Sequence, residues 1–460
     1  MLRPESDFSE KVIYPKNKIQ FINMSKKINL SIPKGTRDFL PEEMIMRQEV
    51  LDRIRSVFEL FGFAPLETPA IENFEILSAK DAGGDEILNE TYNFKDKADR
   101  MIGLRYDLTV PLARVVAMNP GLTIPFKRYQ IQNVWRYGDV AKARLREFLQ
   151  ADVDIVGSDS MLADAEIITC ACYALESIGL EKFTVRINNR KILSGVVKYC
   201  GIDENQITDV LRSIDKLDKI GTDGVEKELV EKGFSEKTVE KLLGFVKIQG
   251  DPEKVLQNIE VFVKSSEELR KGIEETKILV DYLKKMGVKK FKIDLSLARG
   301  LDYYTGPIFE IFAEEGIGSI SAGGRYDKLV GLFSGKETPA TGISLGIERV
   351  IEVMKVKKIF ENKKSRTKVF VVCVKDEVQE EVLKIVRNLR KSGIPSGFDL
   401  RGRNLTRQLE YADSIGIPYA MIVGPNEIKE NKVKIRDMKK REETEVELKD
   451  LASFFKKSDL

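Results

Sequence analysis

Apolar residues recur at helical spacing from Glu42 to Phe61, where Met46, Val50, Ile54, Val57, Phe58 and Phe61 share one stripe. Pro41 stands at the start, where its missing N–H costs nothing, and Gly62 stands at the end, where a helix often turns left-handed. The next segment, APLETPAIE at 64–72, reads as a strand containing prolines, and DAGGDE at 81–86 reads as a loop. IGLRYDLTVPLARVVA at 102–117 reads as a strand running into a helix. Two longer β segments follow, PFKRYQIQNVWRYGD at 125–139 and REFLQADVDIVG at 146–157, joined by a basic loop from Gly138 to Arg144. Strand, loop and strand without an intervening helix predict an antiparallel pair.

The pattern changes near residue 190. Up to 288 the chain is charged, poor in proline and rich in Lys/Glu pairs, as in VEKELVEKGFSEKTVEKLL at 225–243. That reads as a helical insertion whose charged face is solvated and carries no chemistry. A helix continues past Arg349 to about Val356, and the polar run that follows reads as a linker. From 367 onward strand and helix alternate: KVFVVCV, the amphipathic DEVQEEVLKIVRNLRKSG, GFDL, a helix near 404–415, YAMIVG and KVKIRDM. Such alternation predicts a separate small α/β domain with a mixed sheet. The expected fold is α+β, an antiparallel sheet flanked by helices. Its parts are a leader at 1–30 read as disordered, a core at 31–190 and 289–356, a helical insertion at 191–288, a linker at 357–366 and an α/β domain at 367–460. Met24, which opens MSKKINLSIPKGTRD, is an alternative start.

A length of 460 residues, 42% hydrophobic and 32% charged, is enough for about three domains with ample core. The net charge of +3 is close to neutral, so nucleic-acid binding has to rest on local patches. The four cysteines form no CxxC pair, which argues against a zinc knuckle or disulfide framework and for reduced, intracellular thiols. No apolar run is long enough to cross a bilayer and no signal peptide is evident, so a cytoplasmic protein is expected. Histidine is absent altogether. This excludes Ser-His and Cys-His nucleophiles, an imidazole base and histidine metal ligands, leaving carboxylates, Lys, Arg, Tyr, Thr and backbone.

The densest chemistry lies between Leu297 and Arg349: LARGLDYYTGPIFE, AGGRYD and ATGISLGIER. Arginines among glycines and tyrosines suit an anionic, phosphate-bearing ligand beside an aromatic wall, because the guanidinium fork matches carboxylate and phosphate oxygens. Arg136, Arg144 and Arg146 flank the hairpin loop and would clamp a polyphosphate, although a solvated basic hairpin has the same spacing. Asp107 and Thr109 are two apart, hence on one face of a strand, and would hold an ammonium; a turn or cap pair reads identically. Asp154 shares a strand face with Gln150, pointing either to a ligand or to solvent. Tyr303 and Tyr304 fit a core as well as a pocket. In FDLRGRNLTRQ, Arg401, Arg403, Arg407 and Gln408 mark either an RNA contact or a solvated loop.

Together and in this order the segments resemble histidyl-tRNA synthetases of class IIa, from about Pro33 to Phe455. The stretch ending in Thr68-Pro69 is similar to class II motif 1, which implies a homodimer. VWRYGD through REFLQ resembles motif 2 and GISLGIER resembles motif 3, while LARGLDYYTG and AGGRYD resemble the two histidine-specific signatures. The tail resembles the class IIa anticodon-binding domain. The resemblance implies ATP as substrate with Mg²⁺ on its phosphates, and L-histidine and tRNA(His) as partners, with no membrane. It further implies that Asp107, Thr109 and Gln150 hold the α-amino group, and that Asp154 and Tyr304 read the imidazole with Tyr303 beside them. Arg136 would meet the α-phosphate, Arg144 the distal phosphates, and Arg349 the adenine and γ-phosphate. Arg299 would bridge carboxylate and α-phosphate as a cationic catalyst beside Arg136, and Arg401, Arg403 and Arg407 would meet tRNA; no protein metal ligands are implied.

The chain departs from the family in two places: Gly138 stands where many members have an acid two residues after the motif 2 arginine, and Leu149 precedes Gln150 where many have histidine. The competing reading is a catalytically silent paralogue acting as regulatory subunit of ATP phosphoribosyltransferase. Such proteins usually lack the C-terminal domain and lose the signature arginines, whereas Arg136, Arg299, Arg349 and residues 367–460 are all present here.

Overall fold

The structure is a computed structural model that describes residues 30–79, 84–262, 266–298, 303–314, 316–359 and 363–457. Almost all of the expected leader, and Arg299 with its neighbours Gly300 to Asp302, lie outside the described residues.

The first helix runs from Pro41 to Leu60 and buries Met46, Val50, Ile54, Val57 and Phe58 of the stripe that the periodicity marks, together with Leu51, while Phe61 is its C-cap residue. Eleven strands follow before residue 350 among the described residues: β1 (Ala64–Pro65), β2 (Ile71–Asn73), β3 (Asn93–Lys95), β4 (Met101–Leu104), β5 (Phe126–Trp135), β6 (Glu147–Val156), β7 (Thr184–Asn189), β8 (Phe291–Ile293), β9 (Pro307–Phe312), β10 (Ser319–Arg325) and β11 (Ala340–Gly346). Eight of them form the central sheet in the order β1-β5-β6-β11-β10-β9-β7-β8, and β2-β4-β3 form a small separate sheet. The central sheet is antiparallel except for the edge pairs β1-β5 and β7-β8. Its spine is the hairpin β5-β6, paired from Phe126 opposite Val156 to Trp135 opposite Glu147.

Strand residues alternate between faces, and β6 shows what that does here. Leu149, Ala151, Val153 and Ile155 point into the apolar layer made with Pro41–Leu60 and the helix Met161–Ser177. Phe148, Gln150, Asp152 and Asp154 point the other way and line a cavity. One face of the sheet is therefore core, and the other is left for ligands.

Three local expectations change. APLETPAIE is not one strand: Ala64–Pro65 joins β5 in the central sheet and Ile71–Asn73 joins β4 in the small one. Pro65 and Pro69 lack ladder donors, which favours two short edge pieces over one continuous strand. In DAGGDE, Asp81 to Gly83 lie outside the described residues, and Gly84–Asn89 is a short helix. Asp107 and Thr109 do not share a strand face, because β4 ends at Leu104 and Thr109 begins the helix Thr109–Met118.

Between Arg190 and Lys285 the described residues are mainly helical, and the helices share an apolar core of their own built on Val196, Val210, Leu242, Leu256, Leu269 and Ile273. Beyond the helix Ile347–Val356 lies the second sheet, with β12 (Val369–Cys373), β13 (Ser396–Phe398), β14 (Tyr419–Val423), β15 (Lys432–Asp437) and β16 (Glu443–Glu447) in the order β13-β12-β14-β15-β16. β13, β12 and β14 run parallel, while β15 and β16 add antiparallel, which makes the expected mixed sheet. Val369 and Val371 face one core, and Phe370 and Val372 face the other. Cover on both faces explains why β12 reads as an unbroken apolar run. The sequence reading missed β16 and the helix Leu451–Lys457, because of β16 only Val446 is buried. All four cysteines are free thiols. Among the described residues no helix is long and apolar enough to cross a membrane.

Candidate active site

A cavity of about 820 Å³ lies on the open face of the central sheet. Its floor is acidic. Asp154 is 2% exposed and sits 2.8 Å from the guanidinium of Arg128, which is fully buried on β5 directly across the ladder. The Tyr326 hydroxyl donates to its other oxygen. On β11 the residue opposite is Gly342, where a Cβ would fall 1.9 Å from Asp154 Oδ1. Glycine at 342 is thus what leaves room for the carboxylate. Burial raises the pKa of Asp154, and Arg128 and Tyr326 act against it.

Asp107 caps the helix Thr109–Met118, since its Oδ1 accepts from Val110 N–H at 3.1 Å. The capping reading holds, and Oδ2 of the same carboxylate has no partner among the described residues; burial pushes its pKa up to about 6 against that hydrogen bond and the nearby Arg136 and Arg128. Gln150 Nε2 donates to Ser344 Oγ at 2.8 Å. Thr109, Tyr303 and Tyr304 stand together in the cavity wall, with the two tyrosine rings 4.9 Å apart. Both tyrosines line the cavity, and burial raises the pKa of each hydroxyl.

The opposite side is cationic. Arg136 is anchored by Nε to the Tyr106 carbonyl at 2.9 Å, and its guanidinium lies 5.5 Å from the Phe148 ring. Arg144 is about half exposed at the cavity edge, and Arg349 donates to the Ser319 carbonyl at 2.6 Å from the start of its helix. The acid absent at position 138 has a substitute in space. Tyr137 N–H donates to the Glu90 carbonyl at 2.7 Å, and a Cβ on Gly138 would fall 2.7 Å from Glu90 Oε1. The Glu90 carboxylate fills that position, 3.9 Å from Arg144.

Other charged residues turn out to hold the fold. Arg146 lies against Gly35, stacks on Tyr137 at 3.7 Å and donates to the Gly138 carbonyl, so it does not join the clamp expected of it. Arg325 of AGGRYD is buried in an ion pair with Asp164 and donates to the Ser158 and Ser160 carbonyls. Glu348 ties Arg47 to the Leu149 N–H. In the second domain Gln408 clips its helix to both the carbonyl and the N–H of Cys373, a structural clamp rather than a free surface. Arg403 pairs with Asp399 at 2.6 Å, whereas Arg401 and Arg407 are exposed.

The sequence reading passed over Arg128, Asp152 and Tyr326. Asp152 had a signal, since strand alternation puts it between Gln150 and Asp154 on one face. Arg128 had the same parity on β5, but only the register set it opposite Asp154. The insertion is not chemically silent in position either: Thr208, Arg212 and Lys216 form part of the cavity wall.

An antiparallel sheet with one face buried and the other open to an acid- and arginine-lined cavity, followed by a mixed α/β module, defines a class II aminoacyl-tRNA synthetase. The histidyl-tRNA synthetase family model matches residues 35–350 and the anticodon binding domain model matches residues 368–458. A curated histidine–tRNA ligase of Aeropyrum pernix is 43% identical over 399 residues, covering 86% of this chain and 90% of the relative. Histidine–tRNA ligase 1 of Bacillus thuringiensis is 39% identical over 433 residues, covering 92% and 98%. The crystal structure of histidyl-tRNA synthetase from Nostoc sp. PCC 7120 matches with a TM-score of 0.84 and 35% identity, over 94% of this chain and 100% of that one. The chain belongs to the histidyl-tRNA synthetase family and is an aminoacyl-tRNA ligase. An ATP phosphoribosyltransferase regulatory subunit/histidyl-tRNA synthetase from Bacillus halodurans C shares the fold at 22% identity, and that likeness reaches no further than fold.

Proposed function

We propose that the chain activates L-histidine with ATP to histidyl-adenylate and transfers the histidyl group to the 3′ end of tRNA(His). The observation that carries this is one cavity with two chemistries: buried acceptors at Asp107, Gln150 and Asp154, and guanidinium groups at Arg136, Arg144 and Arg349. Acceptors suit the ammonium and imidazole N–H groups of histidine, and guanidinium groups suit a polyphosphate. In the first step a histidine carboxylate oxygen bonds to the α-phosphorus and pyrophosphate leaves. In the second the terminal ribose 3′-oxygen bonds to the activated carbonyl and AMP leaves. Positioning and electrostatics carry the first step, so a chain without histidine loses nothing that it needs.

In this reading Asp107, Thr109 and Gln150 receive the α-ammonium, and Asp154 and Tyr304, backed by Tyr303, receive the imidazole. Arg136 and Arg299 stabilise the α-phosphate, while Arg144 and Arg349 hold the remaining phosphates and the adenine. Mg²⁺ would ride on the ATP phosphates and neutralise their charge, with Glu310, a buried carboxylate lining the same cavity, as the residue placed to share it. One carboxylate with phosphate oxygens is a donor set that this ion commonly takes. The protein works as a cytoplasmic homodimer, and Arg401, Arg403 and Arg407 of the second domain meet tRNA. ATP–pyrophosphate exchange dependent on histidine, and on no other amino acid, is the test; its absence in folded protein would overturn the assignment.

A further inference from the structure

The cavity floor holds three buried acceptor atoms without a hydrogen-bond partner among the described residues: Asp107 Oδ2, Gln150 Oε1 and Asp152 Oδ1. Asp107 and Asp152 are 3% and 2% exposed, and Gln150 is 9% exposed, so solvent does not satisfy them. The Ser344 hydroxyl accepts from Gln150 Nε2 at 2.8 Å, which leaves Gln150 Oε1 bare, and Ser344 stands directly opposite Asp152 on the β6-β11 ladder. Asp107 is held likewise by Val110 N–H. Asp107, Asp152 and Asp154 gather around Arg128, which makes its ion pair with Asp154, while Arg136 acts on Asp107 and Arg105 on Asp152. Buried acceptors without partners call for a ligand that carries N–H donors. An ammonium offers three N–H donors and one positive charge.

We propose that Asp152 is a further substrate-binding residue, whose Oδ1 accepts an N–H of the histidine α-ammonium beside Asp107 Oδ2 and Gln150 Oε1. The proposal rests on the reading of this cavity as the histidine site. Asp152 adds an acceptor to the set formed by Asp107, Thr109 and Gln150, and as a carboxylate it adds a charge that a hydroxyl does not. The electrostatics agree. Without a ligand, burial pushes the Asp152 carboxyl up to about 7, opposed by Arg128 and the Ser344 bond and reinforced by Asp154 and Asp107. Tyr304 and Arg105 also feel its charge, while Gln130 is its cross-strand neighbour on β5. A bound ammonium favours the ionised form, so histidine should bind more weakly as pH falls below about 7.

The test compares wild type with Asp152→Asn and Ser344→Ala. Binding of histidine and of imidazolepropionate, which keeps ring and carboxylate but lacks the ammonium, is measured across this pH range with ATP KM as control. Asp152→Asn should raise the histidine KM about ten- to a hundredfold and flatten its pH dependence, as expected for loss of a charge-assisted bond. Imidazolepropionate binding and the ATP KM should stay within about twofold by the same arithmetic. Ser344→Ala, which removes the acceptor that holds Gln150 Nε2 beside Asp152, should give a smaller loss of the same kind. An unchanged histidine KM in Asp152→Asn, or an equal loss for both ligands, would overturn the proposal. Absence of histidine-dependent exchange in wild type would instead overturn the functional assignment.

Discussion

At the scale of single residues, direction matters more than identity. Asp154 is set between Arg128 and Tyr326 and faces the cavity. Asp154→Ala removes an acceptor and leaves Arg128 buried without its ion-pair partner. The histidine KM is predicted to rise about ten- to a hundredfold or more, with ATP KM little changed. An unchanged histidine KM in folded protein would move the imidazole pocket elsewhere. Tyr326→Phe removes one neutral donor and keeps the ring, so a smaller rise of about three- to tenfold is expected in the same exchange assay. Gln150 and Asp154 were legible as a pair because strand parity is written in spacing. The fates of Arg146 and Arg325 were not, because a guanidinium that clamps phosphate and one that closes an internal ion pair look the same in a sequence. Only the positions of Tyr137 and Asp164 separate them.

At the scale of elements, the second domain carries its own apolar layers on both sides of β12. A chain ending near Lys364 is therefore predicted to form histidyl-adenylate but to charge tRNA poorly, measured by pyrophosphate exchange against aminoacylation. Full charging by the shortened chain would remove the tRNA role of residues 367–460. Within the domain, Gln408 makes two hydrogen bonds to Cys373 and is 2% exposed. Gln408→Ala leaves the Cys373 N–H and carbonyl short of a partner and should destabilise the domain by roughly 1–3 kcal/mol, read by urea unfolding. A change within error would mean that water replaces the clamp. The alternation of strands and helices here was legible from periodicity. β16 was not, because an exposed edge strand with a single buried residue has no apolar pattern to read.

At the scale of the molecule, the missing histidines leave the neutral pH range to other groups. Burial raises Asp107 to about 6 and Asp152 to about 7, and it also raises Asp154 and Asp164. A raised carboxyl means that the folded state holds its proton more tightly than the unfolded chain. The stability this contributes is complete below the unfolded value of 3.8 and is lost as pH rises through about 6 to 7. Glu228 is the opposite case, lowered to about 2 by Lys216 and Lys232, and its contribution is lost only as pH falls from 4.5 through that value. Ligand-free protein is therefore predicted to melt at progressively lower temperature from about pH 5 to pH 8, and Asp107→Asn with Asp152→Asn should flatten that slope. Calorimetry without histidine checks it, and a wild-type Tm that rises across the range would contradict the assignment of these groups.

What the chain's own sequence determined is everything that depends on local order: the N-terminal helix, the β5-β6 hairpin, the insertion of helices, the alternating tail, and the family. What only the tertiary structure decided is which polar groups meet. Asp107 lies in a loop before a helix that it caps through Val110 N–H, Asp152 on the hairpin and Ser344 on β11, far apart in the chain, and nothing local marks one for another. They converge because the sheet order brings β11 beside β6 and the helix Thr109–Met118 starts over the same face. Likewise Glu90 takes the space beside Gly138 because a backbone hydrogen bond from Tyr137 holds it there. Periodicity encodes the face on which a side chain lies; long-range register and burial select its neighbours, and with them its charge state and its chemistry.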